Sequence, residues 1–243
     1  MVFAFTTVTA PLTRPMHNFY PAIATLAAYL IGSLSFAVIV SRVMGLNDPR
    51  TYGSGNPGAT NVLRSGNKAA AIATLLLDAL KGFVPVMLVQ EFGAAYGLAE
   101  GTLALVGLGA FTGHLWPVFF GFKGGKGVAT AAGVLLGLNP WLGLATLATW
   151  LIIAAFSRYS SLAAIVAAVF APFYPILIWG GGPVAVSAAV MGLLLIYRHK
   201  GNIEKLLKGT ENKLGQQPAG AARLRQKTPK QSHDASHKQG AKP

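Results

Sequence analysis

The sequence predicts an all-α integral membrane protein with seven transmembrane helices, its N-terminus outside and its C-terminus cytoplasmic. Three observations carry this prediction. The first is composition: 53% of the 243 residues are hydrophobic and 11% are charged, where a soluble domain carries roughly 25%. The second is the presence of long uncharged runs, such as 15–41 and 101–122, of the length a bilayer span needs. The third is the placement of cations. They cluster at Arg42, Arg50, Arg64 and Lys68, at Lys123 and Lys126, at Arg158, and from Arg198 onward, while 82–122, 127–157 and 159–197 hold neither Lys nor Arg. Positive charge kept on one side of a membrane produces this clustering.

The elements follow in order. Residues 1–19 are an N-terminal extension, in which Met1–Pro15 lacks the basic start and small-residue cleavage site of a secretory signal. Met1 and Met16 both remain open as the start of the chain. The first span is expected over 20–41, followed by a polar segment over 42–68. The second span, 69–90, carries Asp78 and Lys81, and Glu91 and Glu100 flank the connection to a third span over 101–120. The glycine-rich loop at 121–127 follows. Pro140 breaks a helix and drives Asn139 towards extended backbone, so 128–156 reads as two helices, 127–138 and 141–156. Only that division places Lys123, Lys126 and Arg158 on one side. The last spans are 162–179 and 184–197, joined at Gly180–Pro183. Residues 20–211 thus form a seven-helix membrane domain, and 212–243, poor in large apolar side chains, reads as a basic disordered tail.

An odd number of spans puts the termini on opposite sides, and the basic tail sets the C-terminus in the cytoplasm. The loops 42–68, 121–127 and 157–161 then share the cytoplasmic face, and the acidic connection 91–100 falls outside. The net charge of +13 would otherwise invite a nucleic-acid partner. Its distribution instead fits a lipid bilayer, with the tail drawn to anionic headgroups, so no nucleic acid is expected. There is no cysteine, which excludes disulfides and thiol catalysis. The histidines at 17, 114, 199, 233 and 237 are scattered, so neither a metal site nor a cofactor is expected.

Two loops carry anion-binding character. Gly53-Ser54-Gly55-Asn56-Pro57-Gly58 matches a dinucleotide fingerprint letter by letter, but no βαβ unit surrounds it. Its glycines can instead present free N–H groups before a helix, with Asn61 and the forked cation of Arg64 close behind. The plain alternative is a tight turn capped by Thr60 or Asn61, which leaves the crowding of Ser, Asn, Thr and Arg unexplained. Lys123-Gly124-Gly125-Lys126-Gly127 is a second candidate nest; no Ser or Thr follows Lys126, so it is not an NTPase phosphate loop.

Asp78 and Lys81 lie three apart on one helical face, each costing about 2.5–3.5 kcal/mol near a bilayer centre. They should face the bundle interior and pair, serving either structure or substrate. His114 reads either as a base or as a hydrogen-bonded structural residue; position 119 is Phe, so no His-x-x-x-x-Asp dyad is formed. His199 fails the same test, with Glu204 at that spacing. Gly109-x-x-x-Gly113 and Gly133-x-x-x-Gly137 read as helix-packing faces. Ser157, Ser160 and Ser161 could cap a helix or join the site.

Taken together, Gly53–Asn61 with Arg64, Asp78-Ala-Leu-Lys-Gly82, Gly113-His-Leu-Trp-Pro117, Phe122–Thr130, the serines at 160–161, and Arg198-His199 with Asn202-Ile203 resemble the bacterial acyl-phosphate:glycerol-3-phosphate acyltransferase (PlsY) family. The match runs in order from about 20 to 212. The resemblance implies transfer of a fatty acyl group from acyl phosphate to the 1-hydroxyl of glycerol 3-phosphate, giving lysophosphatidic acid and phosphate. It implies a multi-pass enzyme of the bacterial inner membrane with its site at the cytoplasmic face, and a possible partner in the soluble enzyme that makes acyl phosphate. Carried over by motif, Ser54, Arg64, Lys123, Ser161, His199 and Asn202 line the site, with position 160 an alternative to 161. Ser161, His199 and Asn202 are the catalytic candidates. Ser54, Gly55, Asn56, Asn61, Arg64, Lys123, Gly124, Gly125 and Lys126 are the substrate-binding candidates. The competing reading is a transporter of a small phosphorylated solute, which should show inverted repeats and a midplane site. Here the motifs gather at one surface and no repeat is evident.

Overall fold

The computed structural model describes residues 19–216, whose regular structure is all helix, with no strand among them. The helices are α1 (Tyr20–Gly32), α2 (Phe36–Val43), α3 (Ala59–Val62), α4 (Lys68–Phe92), α5 (Glu100–Leu115), α6 (Val128–Leu138), α7 (Pro140–Ser157), α8 (Ser160–Phe170), α9 (Phe173–Trp179), α10 (Pro183–Arg198) and α11 (Lys200–Leu207). Helical segments therefore lie where the seven spans were expected. Among the described residues, four helical segments are long and apolar enough to cross a membrane: Lys68–Tyr96, Glu100–Phe120, Pro140–Ser157 and Ser160–Trp179. A fifth is added if α1 and α2, bent by 41°, count as one; α6 and α10 are apolar but shorter. The N-terminal extension up to residue 18 and the tail beyond 216 lie outside the described residues.

Local signals account for the boundaries. Proline stands in the first turn of α1, α7 and α10, where its missing N–H has no helical partner to lose. Asn139 ends α6 and caps α7, its Oδ1 accepting from Trp141 N at 2.9 Å and Leu142 N at 3.3 Å. Asn67 caps α4 in the same way through Ala70 N. The short α3 starts after Gly58, so neither Thr60 nor Asn61 is its cap. Two breaks depart from the continuous helices expected over 20–41 and 162–179. The chain leaves helix at Ser33–Ser35, where Lys81 Nζ donates to the carbonyl of Leu34 at 2.7 Å. It breaks again at Ala171–Pro172, before α9.

Small residues set the packing. Gly109 and Gly113 of α5 lie against the backbone of Thr25 and Tyr29 in α1, so that a methyl at either would strike a carbonyl oxygen. Gly133 meets Ala79 and Gly137 meets Phe83, which brings α6 against α4. Both glycine pairs thus act as packing faces. The core they enclose includes Phe111, Leu115, Val106, Val134 and Leu142. The outer surface is also apolar: Leu75, Leu88, Leu151, Phe156 and Leu193 are exposed. Such a belt is a liability in water and a match for lipid.

Candidate functional site

The first glycine loop is shaped from within. Gly53 and Gly55 adopt φ of +60° and +67°, the left-handed region that glycine enters without steric cost. Asn61, 2% exposed, is the loop's pin. Its Oδ1 accepts from Ser54 N at 3.0 Å, and its Nδ2 donates to Pro49 O at 2.6 Å and Tyr52 O at 3.1 Å. Every polar atom of that side chain is turned inward on the loop. Arg64 lies across Gly53: a Cβ at 53 would come within 3.3 Å of its guanidinium. Upstream, Arg50 and Asp48 form an ion pair at 2.6 Å, and hydrogen bonding from Arg50 holds the Asp48 carboxyl below its ordinary range. Ser54, Gly55 and the half-buried Asn56 remain at the surface of the loop.

The second glycine loop is seated on the end of α5. Gly125 N donates to His114 O at 3.2 Å. Arg198, from the end of α10, donates to Gly124 O at 2.7 Å and Gly125 O at 3.1 Å, so its fork is committed to holding this loop. A Cβ on Gly125 would also lie 3.0 Å from Pro57 O, which places the two glycine loops in contact. Lys123 is exposed at the start of the loop, and Lys126 is half-buried at its end.

From Lys126 a polar chain crosses to the C-terminal segment. Lys126 Nζ donates to Asn202 Oδ1, and Asn202 Nδ2 donates to Glu211 Oε1 at 2.6 Å. Ser161, at the start of α8, donates its hydroxyl to the same Glu211 oxygen at 2.7 Å. The segment that carries Glu211 is tied down further on, where Leu214 N donates to Arg158 O at 2.7 Å. Burial pulls the Lys126 ammonium down to about 8, against the opposing pull of the Glu211 carboxylate. His199 is 3% exposed, and burial, with the Lys126 charge nearby, lowers it to about 4. Its Nδ1 lies 2.8 Å from the Leu195 carbonyl, which can only accept. The proton therefore sits on Nδ1, leaving Nε2 as an acceptor.

The structure thus gathers Lys126, Asn202, Ser161 and His199 around Glu211 and Arg198, with Gly124 and Gly125 beside them. The first loop joins through Pro57, and the charge of Arg64 is felt at Lys126. Asp78 and Lys81 stand apart from this group. They pair at 2.8 Å, 3% and 2% exposed at the side chain, and approach the loop by way of His114. Among the described residues, no group of three His, Asp or Glu is arranged to hold a metal ion.

Sequence reasoning missed Glu211 and the task of Arg198. Both act over long separations, 50 residues from Glu211 to Ser161 and 74 from Arg198 to Gly124. The available signal was one of charge: Glu211 stands between Lys208 and Lys213 in a stretch otherwise dominated by cations. An acid placed there invites a search for its partner.

The comparisons with known proteins agree with this geometry. The family model for glycerol-3-phosphate acyltransferase matches residues 22–209. A glycerol-3-phosphate acyltransferase of Albidiferax ferrireducens is 66% identical over 207 residues, covering 82% of this chain and 92% of the relative. One from Ralstonia nicotianae is 67% identical over 190 residues, covering 78% and 92%. Among solved structures, the glycerol 3-phosphate form of PlsY (YgiH), an integral membrane glycerol 3-phosphate acyltransferase, matches with a TM-score of 0.75 and 40% identity, over 84% of this chain and 98% of that one. The lysophosphatidic acid form matches with a TM-score of 0.73. A family match across most of the chain, and relatives this similar over nearly their whole length, establish that this chain belongs to the glycerol-3-phosphate acyltransferase family.

Proposed function

We propose that this membrane glycerol-3-phosphate acyltransferase takes its fatty acyl group from acyl phosphate and delivers it to the 1-hydroxyl of glycerol 3-phosphate. The products are lysophosphatidic acid and inorganic phosphate. The observation that carries this reading is the meeting of both glycine loops with Lys126, Asn202 and Ser161. Two phosphorylated substrates need such a concentration of cations and N–H donors. In this reading seven helices span the bacterial inner membrane, the N-terminus is outside, and the site opens to the cytoplasm. The acyl chain stays in the lipid while the headgroup chemistry takes place at the surface.

Arg64 and Lys123 hold phosphate, helped by backbone N–H groups of the two glycine loops, and Lys126 adds charge between them. Ser161 and Asn202 orient the glycerol hydroxyl or stabilise the oxyanion that forms when it attacks the acyl carbonyl. Acyl phosphate is a mixed anhydride with a good leaving group, so positioning and charge neutralisation supply most of the rate. As the new ester C–O bond forms, the bond from the acyl carbon to the phosphate oxygen breaks. The hydroxyl proton passes to an oxygen of the departing phosphate, and no side-chain base is required. His199, neutral at physiological pH and bonded to Leu195, contributes orientation.

The test uses purified protein in detergent with palmitoyl phosphate and glycerol 3-phosphate, following phosphate release and lysophosphatidic acid together. Stoichiometric formation of both is expected. A well-folded sample without turnover overturns the reading, and turnover without a sealed compartment removes the transporter alternative. A rate-controlling pKa that vanishes when His114 or His199 is replaced overturns proton transfer to the donor phosphate.

A further inference from the structure

His114 is 7% exposed and makes more contacts than a packing residue needs. Its Nδ1 lies 3.2 Å from Thr130 Oγ1 and 3.6 Å from Asp78 Oδ1. Thr130 Oγ1 lies 3.0 Å from the backbone carbonyl of Asp78, which can only accept, so the single hydroxyl proton goes there. Nδ1 must then donate to Thr130. The imidazole is fixed as one tautomer, with a bare Nε2. That edge of the ring occupies the space where Gly125 lacks a side chain: a Cβ at 125 would run into Nε2, and would lie 3.0 Å from Cε1. The backbone of the same histidine accepts from Gly125 N, so ring and main chain grip one residue. Gly124 lies equally close, where a Cβ would come 2.6 Å from Leu115 O.

The support behind His114 reaches three other elements. Asp78 belongs to α4 and Thr130 to α6. Lys81, paired with Asp78, donates to Leu34 O at the α1–α2 break and stands 5.7 Å from the centre of the Phe36 ring. An ion pair that served only to hold helices together would need neither the fixed tautomer nor the ring edge beneath a glycine loop.

We propose that His114 is a positioning residue for acyl transfer: Thr130 and Asp78 lock its ring as the seat of Gly124–Gly125, which aims Lys126 and the loop N–H groups at substrate phosphate. The inference rests on the assignment of the 123–127 loop to phosphate binding. His114 moves no proton in the reaction. It acts through the loop, and its two neighbours act through it.

The experiment compares His114→Asn, Gly125→Ala, the double variant Gly125→Ala with His114→Ala, and Lys126→Gln with the wild-type enzyme in detergent. Asn keeps an N–H near the Nδ1 position and removes the ring edge. Folded His114→Asn, with an unfolding midpoint near that of the wild type, is expected to lose about 100-fold in kcat/KM, the scale of a misplaced reacting group. Its pH–rate profile keeps the wild-type acid side. Gly125→Ala is expected to lose activity because the methyl meets the ring, and the double variant is expected to be no slower than Gly125→Ala alone, since the ring is gone. Unchanged kinetics in folded His114→Asn overturn the proposal, as does the loss of the acid-side pH limb, which would make the histidine a base. Additive losses in the double variant also overturn it. If Lys126→Gln leaves both KM values unchanged, the loop assignment fails and the seat fails with it. If Lys126→Gln raises a KM while His114→Asn is silent, only the seat is overturned. Should His114→Asn not fold, Gly125→Ala reaches the same ring from the loop side, and its full activity overturns the proposal.

Discussion

The cluster around Asp78 and the cluster around Lys126 use similar residue types and behave in opposite ways. Around Asp78, one carboxylate faces one ammonium at 2.8 Å, a histidine sits behind, and side-chain exposure is 7% or less. Its charges cancel locally. Around Lys126, a single carboxylate from Glu211 sits among the charges of Lys126, Arg64, Arg198 and Lys205. That cluster keeps a surplus of positive charge and meets water on one side. Burial makes unpaired charge costly, so a deep cluster must be neutral to exist at all. A shallow one can hold its surplus in reserve for an anion. On the proposed reading, that difference separates a scaffold from a phosphate site better than residue type does.

Breaking the deep pair should have the largest effect. Asp78→Asn leaves the Lys81 ammonium buried beside a neutral amide, and is expected to cost about 3–5 kcal/mol of stability. Detergent-solubilised protein unfolded by heat or denaturant reports the loss. Replacing both residues, Asp78→Leu with Lys81→Leu, should recover part of it, because no orphan charge remains. If Asp78→Asn is as stable as the wild type, the pair is not a closed, mutually neutralising unit.

Glu211→Ala tests the shallow cluster in the same terms and should cost less. It removes the acceptor shared by Ser161 and Asn202 and loosens the segment tied to Arg158. Hydrogen bonds to a charged group are worth roughly 1.5–3 kcal/mol, and solvent on one side keeps the loss towards the lower end. A stability loss equal to that of Asp78→Asn would erase the distinction between the two regions.

These two regions were unequally legible in the sequence. Asp78 and Lys81 announced themselves, because two charges three apart in an apolar run have to pair. The glycines at 53 and 55 were legible as turn-formers, which their positive φ bears out, and Asn139-Pro140 marked the α6–α7 boundary where the structure has it. What local pattern could not show was who meets whom across the fold. His114 finds its carboxylate in Asp78, 36 residues upstream on another helix, so a search of the residues just after it was bound to fail. Asn61 looked like a ligand-binding side chain because of its neighbours, yet its amide is engaged with Ser54, Pro49 and Tyr52. At the helix break over Ser33–Ser35, the carbonyl of Leu34 is met by a lysine 47 residues away. Each of these is a tertiary fact carried by residues with no unusual local context.

Arg64→Lys sharpens the functional side of the comparison. The charge is kept and the fork is lost, and a surface-loop change of this kind should hardly move stability. If Arg64 holds phosphate through two parallel N–H groups, kcat/KM should fall about 10-fold, equivalent to roughly 1.4 kcal/mol. Steady-state kinetics varied separately in each substrate would show which KM carries the change. Unchanged kinetics would count against clamping by Arg64 and leave the shallow cluster with only diffuse charge to offer.

The smallest effect expected is in pH dependence, and it follows from the surplus charge itself. Lys126 titrates at about 8, so it is an ammonium below that pH and a neutral amine above it. A phosphate substrate carries close to two negative charges from neutral pH upward, since its second pKa is about 6. Raising the pH through 8 therefore removes a cation from the site while leaving the substrate unchanged, and KM should rise. In Glu211→Gln the carboxylate that raises the Lys126 pKa is gone, so the alkaline rise in KM should begin at lower pH. A KM flat across pH 7–9.5 in the wild type would mean that Lys126 gives the substrate no charge, and that the shallow surplus lies with Arg64, Arg198 and Lys205.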